Sequence, residues 1–298
     1  MTRRGPVLAL IAATVAVSFS AIFIHYAQDD PATVVWVRMA FATALLAPWA
    51  IRDVRRGAMR LPERDRGLLL TSGVMLAGHF LLWTVSLQFT SVAASVLLVS
   101  LHPVIVTPLG RRLLGERVGA RTIASIVLAV GGTAITCAGD LSVSLTALMG
   151  DGFAVGGAVG LAGYLLIGRN LRPTLGVAGY SASVYGIVAV VSLASAALLG
   201  TAHVPRPTTL LWGGMLALVC TVGGHTVYNW ALRHVRAATV SLAFLGEPPL
   251  TALLALLLLG AVPSVTTLIG GVFILAGLAC ALSEATPKPP AEALVAIE

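Results

Sequence analysis

Residues 240–260 read VSLAFLGEPPLTALLALLLLG, and residues 95–115 read SVLLVSLHPVIVTPLGRRLLG. Each is an apolar run long enough to cross a bilayer. Each is broken near its middle by an ionisable residue directly followed by proline, Glu247-Pro248 in one and His102-Pro103 in the other. The two pairs stand 145 residues apart. A titratable side chain at the centre of a membrane span costs about 2.5–3.5 kcal/mol on the insertion scale. Proline removes a helical hydrogen bond and crowds the carbonyl four residues earlier. Two such faults at matching places point to a duplicated unit of the kind found in transporters.

The rest of the chain supports a membrane setting. Of its 298 residues 57% are hydrophobic and only 10% are charged, with a mean hydropathy of +0.94. Soluble domains carry about 25% charged residues. Apolar runs of about 20 residues mark ten spans, near 6–27, 32–51, 67–87, 92–113, 119–138, 146–168, 176–199, 208–232, 237–260 and 265–282. They leave no room for a soluble catalytic or nucleic-acid-binding domain.

The net charge of +7 is a matter of topology. Seventeen of the 19 lysines and arginines, all but Arg38 and Arg206, fall on one side of the spans. They run from Arg3 and Arg4 through the Arg52–Arg66 cluster to Lys288. By the positive-inside rule this side is cytoplasmic and holds both termini. The opposite loops are short and neutral or acidic, as in Asp29-Asp30-Pro31 and Gly139-Asp140. Nucleic acid is thereby excluded as a partner, and the lipid bilayer is expected. The arginine pair at the start imitates a signal peptide, but an uncleaved first span is expected, since its loss would leave nine. Cys137, Cys220 and Cys280 lie within spans without metal spacing, so neither metal nor cofactor is expected. Trp36, Trp212, Trp49 and Trp230 suit the two interfaces. The Pro-rich tail, 283–298, is expected to be disordered and cytoplasmic.

Sliding the second half back by 145 residues aligns Leu113-Leu114-Gly115 with Leu258-Leu259-Gly260, Ser125 with Gly270, and Gly132 with Gly277. Ala93-Ala94 falls on Ala238-Thr239. Upstream the register slips by one, matching Gly78-His79 to Gly224-His225. Each half, 7–138 and 146–282, then holds five spans, and an odd number forces the halves into opposite orientations.

These segments resemble the EamA repeat of the drug/metabolite transporter superfamily. The likeness rests on Val92-Ala93-Ala94-Ser95, Pro103 and Leu114-Gly115-Glu116-Arg117 in the first half. In the second it rests on Asn229-Trp230-Ala231-Leu232-Arg233, Leu245-Gly246-Glu247-Pro248 and the glycines from Gly270 to Gly277. Arg38 resembles an arginine early in the family's second helix, and Gly150-Asp151 the opening of its sixth. The resemblance implies an all-α integral membrane protein with ten transmembrane helices in two inverted five-helix repeats, a central cavity and a small-molecule substrate. One departure stands out: repeat 1 ends its fourth span in Leu114-Gly115-Glu116, whereas repeat 2 has Leu259-Gly260-Ala261.

Read as helices, the spans nominate candidates for the substrate pathway or its coupling. Glu247 and Thr251 share a face of span 9. Pro248 and Pro249 are expected to free the carbonyls of Phe244 and Leu245, and Pro103 that of Val99, near Ser95 and His102 on span 4. Glu247 is the foremost candidate, either exchanging protons during transport or locking helices as a paired carboxyl. His79 lies in a stripe with Ser72, Trp83 and Ser86. His225 lies in another with Thr221, Tyr228 and Asn229. These histidines can relay protons, bond a substrate or bridge helices. Arg38 is expected to pair with Asp29 or Asp30, or else to attract anions. Asp151 is expected to cap span 6. Along that span Gly152, Gly156 and Gly160 form a small-residue face, with Tyr164 one turn on, within reach of the cavity.

A secondary carrier for a small metabolite such as an amino acid, exporting by alternating access and coupled to protons, is the reading these features favour. A nucleotide-sugar or drug-type transporter is the alternative within the superfamily. A channel or an intramembrane enzyme represents other classes. The chain has no P-loop, no GxSxG and no HExxH, so no enzyme activity is expected.

Overall fold

The structure is a computed structural model that describes residues 4–139, 144–260 and 262–283. Arg3, Asp140, Ala261, Lys288 and the rest of the tail lie outside these residues. The described residues form ten helical rods. In the first half these are α1 (Arg4–Val17, then Ser20–Ala27), α2 (Pro31–Arg55), α3 (Glu63–Ser86), α4 (Val92–Val99, then His102–Leu114) and α5 (Ala120–Gly139). The second half begins with α6 (Leu145–Leu171) and α7 (Val177–Leu198). Then come α8 (Pro207–Met215, Leu216–His225, Thr226–Ala231), α9 (Ala237–Ala243, Phe244–Gly246, Glu247–Leu259) and α10 (Val265–Ser283). Eight rods carry a stretch long and apolar enough to cross a membrane, and α5 and α10 carry the shorter apolar helices Ala120–Ile135 and Leu268–Cys280.

Starts and breaks have local causes. Asp30 accepts the Thr33 amide at 2.9 Å just before Pro31, a capped and proline-primed start for α2. Ser91 and Ser144 cap α4 and α6 in the same way. Ser144 therefore fills the capping role expected of Asp151, which instead accepts the Thr90 hydroxyl at 2.9 Å. Gly115 and Gly260, one register apart, end α4 and α9 with φ of +63° and +67°. Only glycine adopts that conformation at no steric cost.

The breaks in α4 and α9 fall at the ionisable–proline pairs. The freed carbonyls of Val99 and Phe244 do not stay free. His102 Nδ1 donates to the Val99 carbonyl at 3.0 Å. In α9 a 3₁₀ turn sends the Glu247 amide to the Phe244 carbonyl, so the expected opening at Phe244 is closed by a shorter-range bond. Two further irregularities carry no proline. At the break in α1, Ser18 Oγ bonds back to the Thr14 carbonyl and Thr14 Oγ1 to that of Leu10, at 2.7 and 2.9 Å. Such back-bonding bends helices. In α8, Leu216–His225 is π-helical, with Thr221 and Thr226 hydroxyls reaching the carbonyls five residues earlier.

Packing obeys a pseudo-two-fold. Helices α2 and α7 pack together, as do α5 and α10, while the pairs α3–α6 and α8–α1 exchange under the repeat correspondence. At α5–α10 the contact is reciprocal. A Cβ on Gly132 would stand 2.5 Å from the Gly270 carbonyl, and one on Gly277 would stand 2.8 Å from the Ser125 carbonyl. These are the two aligned pairs, each touching the other's partner, as a two-fold contact requires. Along α6 the close approach to α3 is made by Gly156 and Gly160 but not Gly152, which faces open space.

Candidate functional site

The breaks in α4 and α9 meet over a buried cavity. It is lined by His79 and Trp83 from α3, Ser100 and His102 from α4, Leu161 from α6, and Phe244 and Glu247 from α9. The space open to a water centre is about 10 Å³, room for about one water. Glu247 is 8% exposed. Its carboxyl has no protein hydrogen-bond partner among the described residues. Trp83 Nε1 is also unpartnered, and His102 Nε2 faces the backbone of Ser241 without a well-formed bond. Among the described residues, these buried polar groups are left without protein partners, which native structures seldom permit without water or another group at the site.

Aromatic rings hold these groups in place. Phe244 stacks on Tyr228 at 3.9 Å and stands 5.2 Å from His102 and 5.8 Å from His225. His79 lies 6.3 Å from His225, and its Nδ1 donates to the Gly157 carbonyl at 3.0 Å. Histidines scattered over α3, α4 and α8 in sequence thus converge around Phe244 and Phe80. Among the described residues no group of three or more ligating side chains is placed to hold a metal.

Arg38 corrects the expected pairing. It is 2% exposed and bridges to neither Asp29 nor Asp30. Its Nε donates to Thr221 Oγ1 at 2.7 Å, its guanidinium lies 4.3 Å over the Phe80 ring, and its Nη2 has no partner. Cation–π stacking offsets part of its desolvation. Asp29 turns instead to Thr209 and His203, at 2.5 and 2.8 Å.

Other candidates lie apart from the cavity. Tyr164 donates to Asn229 Oδ1 at 2.5 Å, and Asn229 Nδ2 to Ser181 at 2.9 Å, while Arg172 holds the Asn229 carbonyl. This buried chain ties α6, α7 and α8 together. Ser95 meets Ser86 at 2.5 Å. Thr251 donates to the Ser18 carbonyl at 3.1 Å, stapling the break in α1 to α9. Pro103, Pro248 and Pro249 set the two breaks. The sequence reading missed Phe80 as the seat of Arg38 and the ring of Phe244, because neither carries a polar signal.

The two ends are built differently. At the end away from the arginine clusters a vestibule of about 390 Å³ opens between the α1–α2 hairpin and the α3–α4 connection, lined by His25, Asp29, Thr84, Gln88 and Val92. At the arginine-rich end Glu116 joins α4 to α6 and α9. It accepts the Ala237 amide at 2.8 Å and pairs with Arg169 at 3.2 Å.

Two inverted five-helix halves, meeting at broken helices around a buried polar cavity, are the architecture of a membrane transporter. The chain belongs to the EamA-like transporter family, which it matches over residues 4–138 and again over 148–283. It is 26% identical over 278 residues to a protein of Archaeoglobus fulgidus named an uncharacterized transporter, covering 93% of this chain and 96% of that one. A protein of Clostridium kluyveri with the same name is 24% identical over 263 residues, covering 83% and 82%. A crystal structure of a protein 19% identical superposes with a TM-score of 0.76 over 95% of this chain and 98% of the other, a likeness of fold.

Proposed function

We propose that the chain is a secondary active carrier that moves a small amino-acid-like metabolite out across the cytoplasmic membrane by alternating access, in exchange for protons. The observation that carries this reading is the Glu247 carboxyl, buried without a protein partner among the described residues where the two broken helices meet. A carboxyl so placed can bind a proton or an ammonium group, one excluding the other, which is the elementary requirement for exchange. Arg38, whose Nη2 has no partner among the described residues and which stacks on Phe80, supplies the opposite charge. Trp83 and Phe244 supply flat apolar walls of the cavity. The arginine-rich end is cytoplasmic in this reading, by the positive-inside rule, and the vestibule faces outward. Trp83 lines the cavity while its neighbour Thr84 lines the vestibule, so the outward route to the site is short.

Counterflow in proteoliposomes loaded with a panel of amino acids and related amines tests the proposal. Saturable, proton-gradient-driven exchange is expected. Flux that never saturates would identify a channel instead.

A further inference from the structure

The Leu114-Gly115-Glu116 motif survives in repeat 1 alone, and its glutamate has a defined place in the structure. Glu116 is 8% exposed. Its Oε1 accepts the Ala237 amide at 2.8 Å and the Arg169 Nε at 3.2 Å, and its Oε2 accepts the Ala238 amide at 3.4 Å. Arg169 reaches on to the Leu232 carbonyl at 2.6 Å. One carboxylate thus clamps the end of α4 to the start of α9 and the end of α6. Those are the elements that must part if the site is to open at the arginine-rich end. Charge-assisted bonds of this kind are about twice as strong as neutral ones.

The repeat register locates the counterpart. Shifted by 145 residues, Glu116 becomes Ala261, and Ala237 and Ala238 become Val92 and Ala93. Alanine has no carboxylate to offer. The start of α4 is capped by its own Ser91, and Val92 lines the open vestibule. The motif stands at the end that Glu116 clamps, and its counterpart at the end of the vestibule.

We propose that Glu116 is a one-sided latch: it holds the arginine-rich end closed, and it must let go of α9 and Arg169 for the site to open there. This rests on the alternating-access reading above. Glu116 touches no cargo in this role. It positions the helices that carry His102 and Glu247, and its single copy biases the carrier toward opening at the vestibule end.

Sidedness of access tests the latch. Thr107 is 4% exposed with an unpartnered hydroxyl, and it lies on α4 between His102 and Gly110, whose Cβ position would be 3.2 Å from Glu116 Oε2. In a background with the three native cysteines replaced by alanine, Thr107→Cys is labelled with a membrane-impermeant maleimide in vesicles of either orientation. Glu116→Gln is expected to speed labelling from the arginine-rich side about tenfold, equivalent to ~1.4 kcal/mol, and not from the other side. Arg169→Gln is expected to give a smaller rise of the same sidedness. Equal labelling with and without Glu116 overturns the latch. A third measurement needs no variant at Glu116: amide exchange at 236–239 in the wild-type chain should be slower than at the counterpart 91–94, and equal exchange also overturns the proposal. None of these readouts needs a substrate, so failed flux with a sided labelling change counts against the carrier reading, not the latch.

Discussion

His102 Nδ1 lies 3.0 Å from the Val99 carbonyl, the carbonyl that Pro103 deprives of its helical donor. The side chain before the proline therefore replaces the bond that the proline removes. A carbonyl can only accept, so Nδ1 carries the proton and Nε2 is directed toward Ser241. Removing His102 should strand Val99, at about 1–3 kcal/mol for an unsatisfied buried group. Pro103→Ala restores the amide. The double variant His102→Ala/Pro103→Ala should then lose less stability than the two singles summed, with a coupling of about 0.5–3 kcal/mol. Thermal melts in detergent provide the four corners of the cycle, and strict additivity would contradict the bond.

Glu247→Gln keeps the shape of the side chain and abolishes its charge. If the carboxyl exchanges protons for cargo, gradient-driven transport should fall about tenfold or more, a loss of ~1.4 kcal/mol, while membrane expression stays near wild type. The motivation is a carboxyl 8% exposed and without a protein partner among the described residues. Undiminished gradient-driven transport by the variant would reject the coupling role.

Glycines eight residues apart on α6 should respond differently to the same methyl group. At Gly160 a Cβ would stand 2.6 Å from the Met75 carbonyl and 2.8 Å from the His79 amide. Neither backbone atom can rotate away. Gly160→Ala should therefore cost about 1–3 kcal/mol through overpacking and disturb His79. Gly152 has nothing within 4 Å, so Gly152→Ala should be neutral or gain about 0.5–1 kcal/mol from helix propensity. Matching effects in a melting assay would refute the close approach.

Outside the spans, the Asp29–His203 pair predicts a pH window. Burial works to raise the Asp29 pKa, but the Thr209 hydroxyl, the Asp30 amide and His203 outweigh it and hold it below its ordinary 3.8. The Thr201 carbonyl first, and the charge of Asp29 after a small opposing effect of burial, raise His203 above 6.5 against the nearby Arg206. A raised histidine stabilises the folded form fully below its unfolded value and loses that contribution as pH climbs through the folded one. A depressed carboxylate stabilises above its unfolded value and loses it as pH falls through the folded one. The strap between the α1–α2 hairpin and the loop before α8 should thus hold in mild acid and loosen above neutrality. Amide exchange at 28–33, measured at pH 5.5 and 8.5 (~3 units spanning a histidine's range), should be slower at the lower pH. His203→Gln should flatten the difference, and a persistent difference in that variant would exclude the strap.

The spans, the duplication and the broken helices were legible because each has a local cause. Hydropathy over about 20 residues marks a span, and a proline disrupts its helix whatever packs nearby. The 145-residue register pairs Ser125 with Gly270 and Gly132 with Gly277, and the packing joins these two pairs reciprocally. Legibility ended where a side chain's partner is chosen by packing. Arg38 is eight residues from the nearer of two aspartates, yet it turns to Thr221 across the bundle and to the face of Phe80. The break in α1 and the π turn of α8 have no proline to announce them.

The ionisable–proline pairs at 102–103 and 247–248 follow from sequence alone, and so does the cost of placing them in a membrane. Only the tertiary structure decided that Glu247 has no protein partner among the described residues, that His79 and His102 line the same cavity, and that Glu116 ties α4 to α6 and α9. The reason is distance. Proline chemistry acts within four residues along the chain, whereas Glu116 meets Ala237 across 121 residues, and a contact of that span exists only once the halves have packed.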